Sequence, residues 1–282
     1  MPSEVVVGVD GTVSSQRAVL WAAEAARARS ADLVLVHATL ESEPRVADEW
    51  SKLVGTEPAV VLRNEQRRAG QAAPGLVVRA EAPDDSPARA LVRRSRTASV
   101  VVVGTRRMTR CARPWSGMLE YQVVAGSTCD VVVVPPVTGL FENRLVVGTD
   151  GSRDGQAAVT AAADLAVRLG AVLEVLHAWQ RPGGCAFQDE DEAGLAASPP
   201  ARLRRLLGAV VDRTADARPG LTVEGRLVES HPVPALLAAA SGSRVLVVGA
   251  RGRQRVQRVR VGSTSHALTL STPCALVVAR GG

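Results

Sequence analysis

Gly249-Ala250-Arg251-Gly252, nine further residues, then Gly262-Ser263-Thr264 is the stretch of this 282-residue chain with the most to offer a ligand. Glycine lets a backbone come close to a ligand. A Gly-Ser-Thr run that opens a helix presents N–H donors, two hydroxyls and the positive end of the helix dipole, a set that suits a phosphate. The same residues would also make a tight strand-to-helix turn capped by a hydroxyl, and in isolation the segment does not separate these readings. No lysine follows the second glycine, so it is not a Walker-type phosphate loop, and the spacing is not G-x-G-x-x-G. Upstream, Val146-Val147-Gly148-Thr149-Asp150-Gly151-Ser152 places a carboxylate at a strand end. It could act as a base or bond the Gly-Ser backbone in a turn, and with no second carboxylate or metal cluster beside it we read it as positioning. His177 follows a second apolar run without a Cys or carboxylate at ligand spacing, so it reads as a satisfied strand-end histidine in preference to a metal ligand. Arg253, Arg255, Arg258 and Arg260 lie between Gly252 and Gly262. They either neutralise a polyphosphate or form an exposed basic loop.

These positions need a scaffold that gathers residues 150, 178, 249 and 262, and an internal repeat supplies it. Val6-Val7-Gly8-Val9-Asp10-Gly11-Thr12 recurs as Val146 to Ser152, and His37-Ala38 as His177-Ala178, both at an offset of 140. Val103-Gly104 matches Val248-Gly249, Gly117 matches Gly262 and Cys129 matches Cys274, all at 145. Two copies of one domain, 1–138 and 139–282, divided near Pro135-Pro136-Val137-Thr138-Gly139, account for every match. In the second copy the patterns predict strands over Arg144–Thr149, Val172–Ala178, Leu221–Leu227, Arg244–Gly249 and Ala275–Ala279. Helices are predicted after Ser152 (stopped by Gly170), over Arg202–Ala217, over Val233–Ser241 and over Gly262–Ser271. The first copy follows the same order. Such alternation makes an α/β fold, a parallel sheet with helices on both faces. Ligands bind beyond the carboxyl ends of its strands, at the switch point in strand order.

A strand ending V-G-x-D-G-S followed by G-x-x-G-x9-G-S resembles the universal stress protein family, and the likeness runs through the whole chain as two tandem copies. The resemblance implies two open five-stranded parallel α/β domains of strand order 3-2-1-4-5. It also implies ATP held between strands one and four, and dimerisation through the last strand, as a homodimer or as an internal pseudo-dimer. Carried onto this sequence, the ATP-binding residues are Thr149, Asp150, Ala178, Gly249, Arg251, Gly252, Gly262, Ser263 and Thr264. Asp150 and the backbone after the second strand would face adenosine, and the glycine loop with Ser263 and Thr264 the phosphates, with or without magnesium. The first copy keeps Asp10, Gly104 and Gly117, but Arg107 replaces the second glycine and Met118 the hydroxyl residue. Arg107 puts a side chain where backbone should meet phosphate, and Met118 removes a donor. One competent and one degenerate site are expected. Arg106, Arg107, Arg110 and Arg113 leave a rearranged anion site as the other possibility.

Composition narrows the function classes. Hydrophobic residues make up 46% and charged residues 22%, enough for packed cores and against a disordered or fibrous chain. Two Phe, one Tyr and four Trp make a stacking platform for single-stranded nucleic acid a poor expectation. The net charge of +6 comes from dispersed arginines, with Lys52 the one lysine, and favours small anions more than nucleic acid. No apolar run reaches the roughly 18 residues of a membrane span, and no basic segment precedes Val5-Val6-Val7. Cys111, Cys129, Cys185 and Cys274 form no C-x-x-C pair and read as reduced thiols of a cytoplasmic protein. Asp189-Glu190-Asp191-Glu192 reads as a solvated loop and Trp21 as a packing residue. The expectation is a regulatory or sensing module that binds ATP in its C-terminal half and an unidentified protein partner. An enzyme is not expected, since there is no phosphate-loop lysine, no base for water and no acidic pair for magnesium. The alternatives are an interaction scaffold that binds no nucleotide and, less favoured, an ATP pyrophosphatase or adenylyl transferase. Salt-sensitive binding of nucleic acid by the basic loop is a further one.

Overall fold

The computed structural model describes residues 4–38, 57–105, 118–136, 141–181, 199–252 and 261–281. The chain divides into two compact units. One is residues 1–138 with 269–271 and 275–280, and the other is residues 139–268 with 272–274 and 281–282.

The first unit runs β1 (Glu4–Gly8), α1 (Val13–Arg27), β2 (Asp32–Val36), α2 (Pro58–Ala72), β3 (Val78–Glu81), α3 (Pro87–Arg94), β4 (Ala98–Gly104), α4 (Met118–Gly126) and β5 (Asp130–Val134). Strand order is β3-β2-β1-β4-β5 and each of these pairings is parallel. This is the 3-2-1-4-5 order expected. The valine runs that mark the strands follow from burial on both faces: Val5, Val6, Val7, Val101 and Val102 have no exposed surface. The final strand of the chain also falls in this unit and lies antiparallel to β5, with Val277 opposite Val132. Helix α1 turns Ala18, Ala22, Ala23 and Ala26 inward, all fully buried. Alanines there let the helix axis lie close to the sheet. Thr12 caps the helix, its hydroxyl accepting from the Ser15 N–H at 3.3 Å. Trp21 on the same helix is only half-buried.

The second unit repeats the plan with β6 (Glu142–Gly148), α5 (Arg153–Leu169), β7 (Val172–Trp179), α6 (Pro199–Asp216), β8 (Val223–Glu229), α7 (Pro232–Ala240) and β9 (Ser243–Gly249). Then come α8 (Ser263–Ser271) and β10 (Ala275–Ala279), the strand described with the first unit. Parallel pairing in the order β9-β6-β7-β8 reproduces 4-1-2-3. The predicted caps of α5 are present: the Ser152 hydroxyl accepts from the Gly155 N–H at 3.1 Å, and Gly170 ends the helix at φ 58°. Strand β8 begins and ends two residues later than its alternation suggested. Its register on β7, from Leu173 opposite Val223 to Trp179 opposite Glu229, sets the ends. Strand β7 carries a charge in its buried run. Glu174 is 4% exposed and holds Arg144 Nη1 at 2.8 Å, so the carboxylate is paired where it is out of water.

Cys129 and Cys274 are not in disulfides; Cys274 is buried and Cys129 half-buried. Burial pushes the Cys274 thiol up to about 12. Almost no thiolate then exists at pH 8, and iodoacetamide is expected to leave Cys274 unmodified in the native chain and to alkylate it after unfolding. Peptide mass spectrometry of the two digests checks this. Among the described residues no helix is long and apolar enough to cross a membrane.

Candidate functional site

The carboxyl ends of β6, β7 and β9 and the start of α8 enclose a cleft of about 480 Å³, a size typical of small-molecule sites, which span roughly 300–1,000 Å³. Thr149, Asp150, Ala178, Gly249, Arg251, Gly252, Gly262, Ser263 and Thr264 all line it. Its lining combines the apolar side chains of Leu176, Leu236 and Val248 with the Ser263-Thr264-Ser265 start of α8.

The three glycines of the loop do different work. A Cβ on Gly249 would stand 2.6 Å from the carbonyl carbon and oxygen of Asp154, so the end of β9 is pressed onto the first turn of α5. A Cβ on Gly252 would stand 2.7 Å from Asp150 Oδ2. The contact at Gly249 is with fixed backbone inside the protein, whereas its sequence reading was close approach to a ligand; that at Gly252 is with a side-chain tip, and Gly252 lines the cleft. At Gly262 the nearest atoms to a Cβ lie at 3.7 Å, and its φ of −69° suits any residue. Its N–H bonds the Ala250 carbonyl at 2.8 Å, which ties the helix start to the loop. Gly262 is the N-cap of α8, and no side chain caps that helix. The helix start therefore turns first-turn N–H groups and the Ser263 and Thr264 side chains to the cleft, a favourable place for an anion.

The carboxylates beside the cleft hold protein, as the positioning reading required. Asp150 Oδ1 accepts from the Ser152 N–H at 2.9 Å in the turn after β6, and Asp10 accepts from the Thr12 N–H at 3.0 Å. His177 Nδ1 donates to the Thr149 carbonyl at 2.8 Å, and His37 to that of Val9 at 2.7 Å, so both are satisfied strand-end histidines. Among the described residues no cluster of three His, Cys, Asp or Glu could hold a metal ion.

Three contributors to this site escaped the sequence reading. Asp154, on the first turn of α5 and 2% exposed, accepts from the backbone N–H of Arg251 at 3.1 Å and from its Nε at 3.2 Å. It thereby fixes a cationic side chain at the cleft wall. Ser265 donates its hydroxyl to the Gly249 carbonyl at 2.6 Å. A Cβ on Gly155 would meet Asp150 Oδ1 at 2.9 Å. The first-copy counterpart of Asp154 at the 140 offset is Ser14, so the repeat hid it.

The first unit has a cleft of about 390 Å³ in the corresponding place, lined by Asp10, His37, Gly104, Leu119 and Glu120 among others. Of the residues expected to mark a degenerate site, Asp10 and Gly104 line it. Arg107 and Gly117 lie outside the described residues, and Met118 opens α4. Arg253, Arg255, Arg258 and Arg260 also lie outside them.

A sequence-family model described as the universal stress protein family matches residues 1–135 and again 142–280. A universal stress protein of Mycolicibacterium smegmatis is 29% identical over 298 residues, covering 98% of this chain and 96% of that protein. One from Mycobacterium tuberculosis is 30% identical over 314 residues, covering 98% and 94%. A crystal structure of a universal stress protein from Archaeoglobus fulgidus superposes with a TM-score of 0.71 at 18% identity, covering 99% of this chain and 98% of that one. That likeness is one of fold.

Proposed function

The chain belongs to the universal stress protein family, and we propose that its C-terminal unit binds ATP and acts as a regulatory or sensing module. The observation that carries this reading is the start of α8, with Gly262 as an N-cap that no side chain satisfies and that leaves room in front of the helix. It opens on a cleft that Leu176, Leu236 and Val248 also line. A ligand with a flat apolar group and a polyanionic tail matches both kinds of lining. Leu176, Leu236 and Val248 would pack against the base, with Asp150 and Ala178 beside the sugar. Ser263, Thr264 and the first-turn N–H groups of α8 would donate to phosphate, and Arg251, held by Asp154, would supply the positive charge. Magnesium would enter with the triphosphate, since Asp150 Oδ1 is engaged with the backbone and Asp154 Oδ2 with Arg251.

The lining of the cleft supports regulation over turnover. Asp150 accepts from the backbone of its own turn, and neither His177 nor Asp154 is among the residues that line the cleft, so the described lining offers Asp150 alone as a titratable base for a water. Occupancy of the cleft would favour one arrangement of the surface around it and so alter what a protein partner meets. The extent of that shift equals the difference in affinity between the two arrangements. Calorimetric titration of magnesium-ATP into the purified chain at physiological salt is expected to give one ATP per chain. Two per chain would refute the degenerate first cleft, and no binding would replace the regulatory reading with that of an interaction scaffold.

A further inference from the structure

The two clefts share one half and differ in the other, and the difference has a direction. Ala38, Leu91 and Val103 line the first cleft where Ala178, Leu236 and Val248 line the second. Each unit also places a histidine Nδ1 on the carbonyl before its strand-end aspartate. The half assigned above to base and sugar is therefore kept. At the other end, Ser263-Thr264-Ser265 is replaced by Met118-Leu119-Glu120. Leu119 and Glu120 line the first cleft, and Glu120 is only 3% exposed. Ser14 stands where Asp154 anchors Arg251, so the carboxylate anchor for an arginine is missing too. An anionic tail entering this end would meet an apolar side chain where Thr264 offers a hydroxyl, and beside it the buried carboxyl of Glu120. An uncharged ligand would lose nothing there.

We propose that the N-terminal cleft takes an uncharged nucleoside and rejects its phosphates, making it a second site with the opposite selectivity. The proposal rests on the assignment of the C-terminal cleft to an adenine nucleotide, because that assignment identifies the shared half. The discrimination comes from the described residues of that end: phosphate oxygens stripped of water against the Leu119 side chain and the Glu120 carboxyl are left unmatched there, which weakens binding by roughly tenfold or more. The volume of about 390 Å³ leaves room for a base and a sugar.

Hydrogen exchange of the full chain, read by mass spectrometry, tests this with adenosine and AMP as probes. With ATP present at saturation, adenosine is expected to slow exchange over residues 9–15 and 36–38, and AMP to do so only at about tenfold higher concentration or above. AMP protecting those residues as well as adenosine does, or adenosine protecting neither segment, would overturn the proposal. The parent assignment is read separately, from the protection of residues 149–155 by ATP alone, so the two failures do not look alike. A double variant, Leu119→Thr with Glu120→Ser, rebuilds the donor end and is expected to raise AMP affinity in the first cleft about tenfold. Unchanged AMP affinity in a variant that melts like the wild type would also overturn it. The wild-type comparison stands if the variant does not fold.

Discussion

Gly262→Asp is expected to abolish ATP binding while leaving the melting temperature unchanged or slightly raised. The position accepts a side chain: the nearest atoms to a Cβ lie at 3.7 Å, and φ −69°, ψ 158° is the extended conformation N-cap residues adopt. The substituted residue keeps its own N–H, so the bond to the Ala250 carbonyl survives. Its carboxylate then accepts from the first-turn N–H groups of α8, the donors assigned to phosphate. Capping of this kind stabilises by a few tenths to about 1 kcal/mol, so the fold gains a little. The ligand loses its donors and meets a negative charge at close range, through the low-dielectric wall of the cleft. Together these predict at least a ~100-fold loss of affinity, or about 2.7 kcal/mol. Calorimetric titration beside a thermal melt measures both arms. Retained binding would mean that phosphate does not sit at α8, and a melt several degrees lower would mean that lost binding reflects lost structure.

How far the sequence disclosed this arrangement depended on which atoms each residue answers to. The strands were legible because Val5-Val6-Val7 and Val101-Val102 must be apolar on both faces in a covered parallel sheet. Strand β8 was legible only by its alternation, and its ends are set by register on β7, which a linear pattern does not contain. The loop glycines were found through spacing, yet the reason for them was not. Absence of a side chain looks the same in sequence whether the backbone approaches a ligand, as the space before Gly262 allows, or another part of the chain, as at Gly249 and Gly252. Asp154 stayed hidden because its significance is a contact with Arg251 across 97 residues, and its repeat partner is Ser14. Glu120 stayed hidden because the motif comparison stopped at Met118, two residues short of the buried carboxyl.

The contrast among glycines gives the second large effect. Gly249→Ala is expected to destabilise the chain, and Gly104→Ala to do so by a similar amount at the matching position of the first unit. A Cβ at Gly249 would sit 2.6 Å from the carbonyl carbon and oxygen of Asp154, and one at Gly104 would sit 2.6 Å from those of Ser14. Backbone at the start of a helix cannot step aside as the tip of a flexible side chain can. Either α1 or α5 must move off the strand end, opening the Ala-lined contact with the sheet. Overpacking that shifts backbone costs about 3 kcal/mol, which for units of this size lowers the melting temperature by roughly 10 °C. Gly262→Ala is the control: the same added methyl meets nothing within 3.7 Å, and the cost of alanine at an N-cap is no more than about 1 kcal/mol. Thermal melts of the three variants decide the matter. A Gly249→Ala chain that melts like the wild type and has lost only ATP would return that glycine to the ligand. Equal losses of stability in Gly249→Ala and Gly104→Ala would establish that both units keep this glycine to dock a helix on a strand, so that its presence in the first unit says nothing about whether that unit binds a nucleotide.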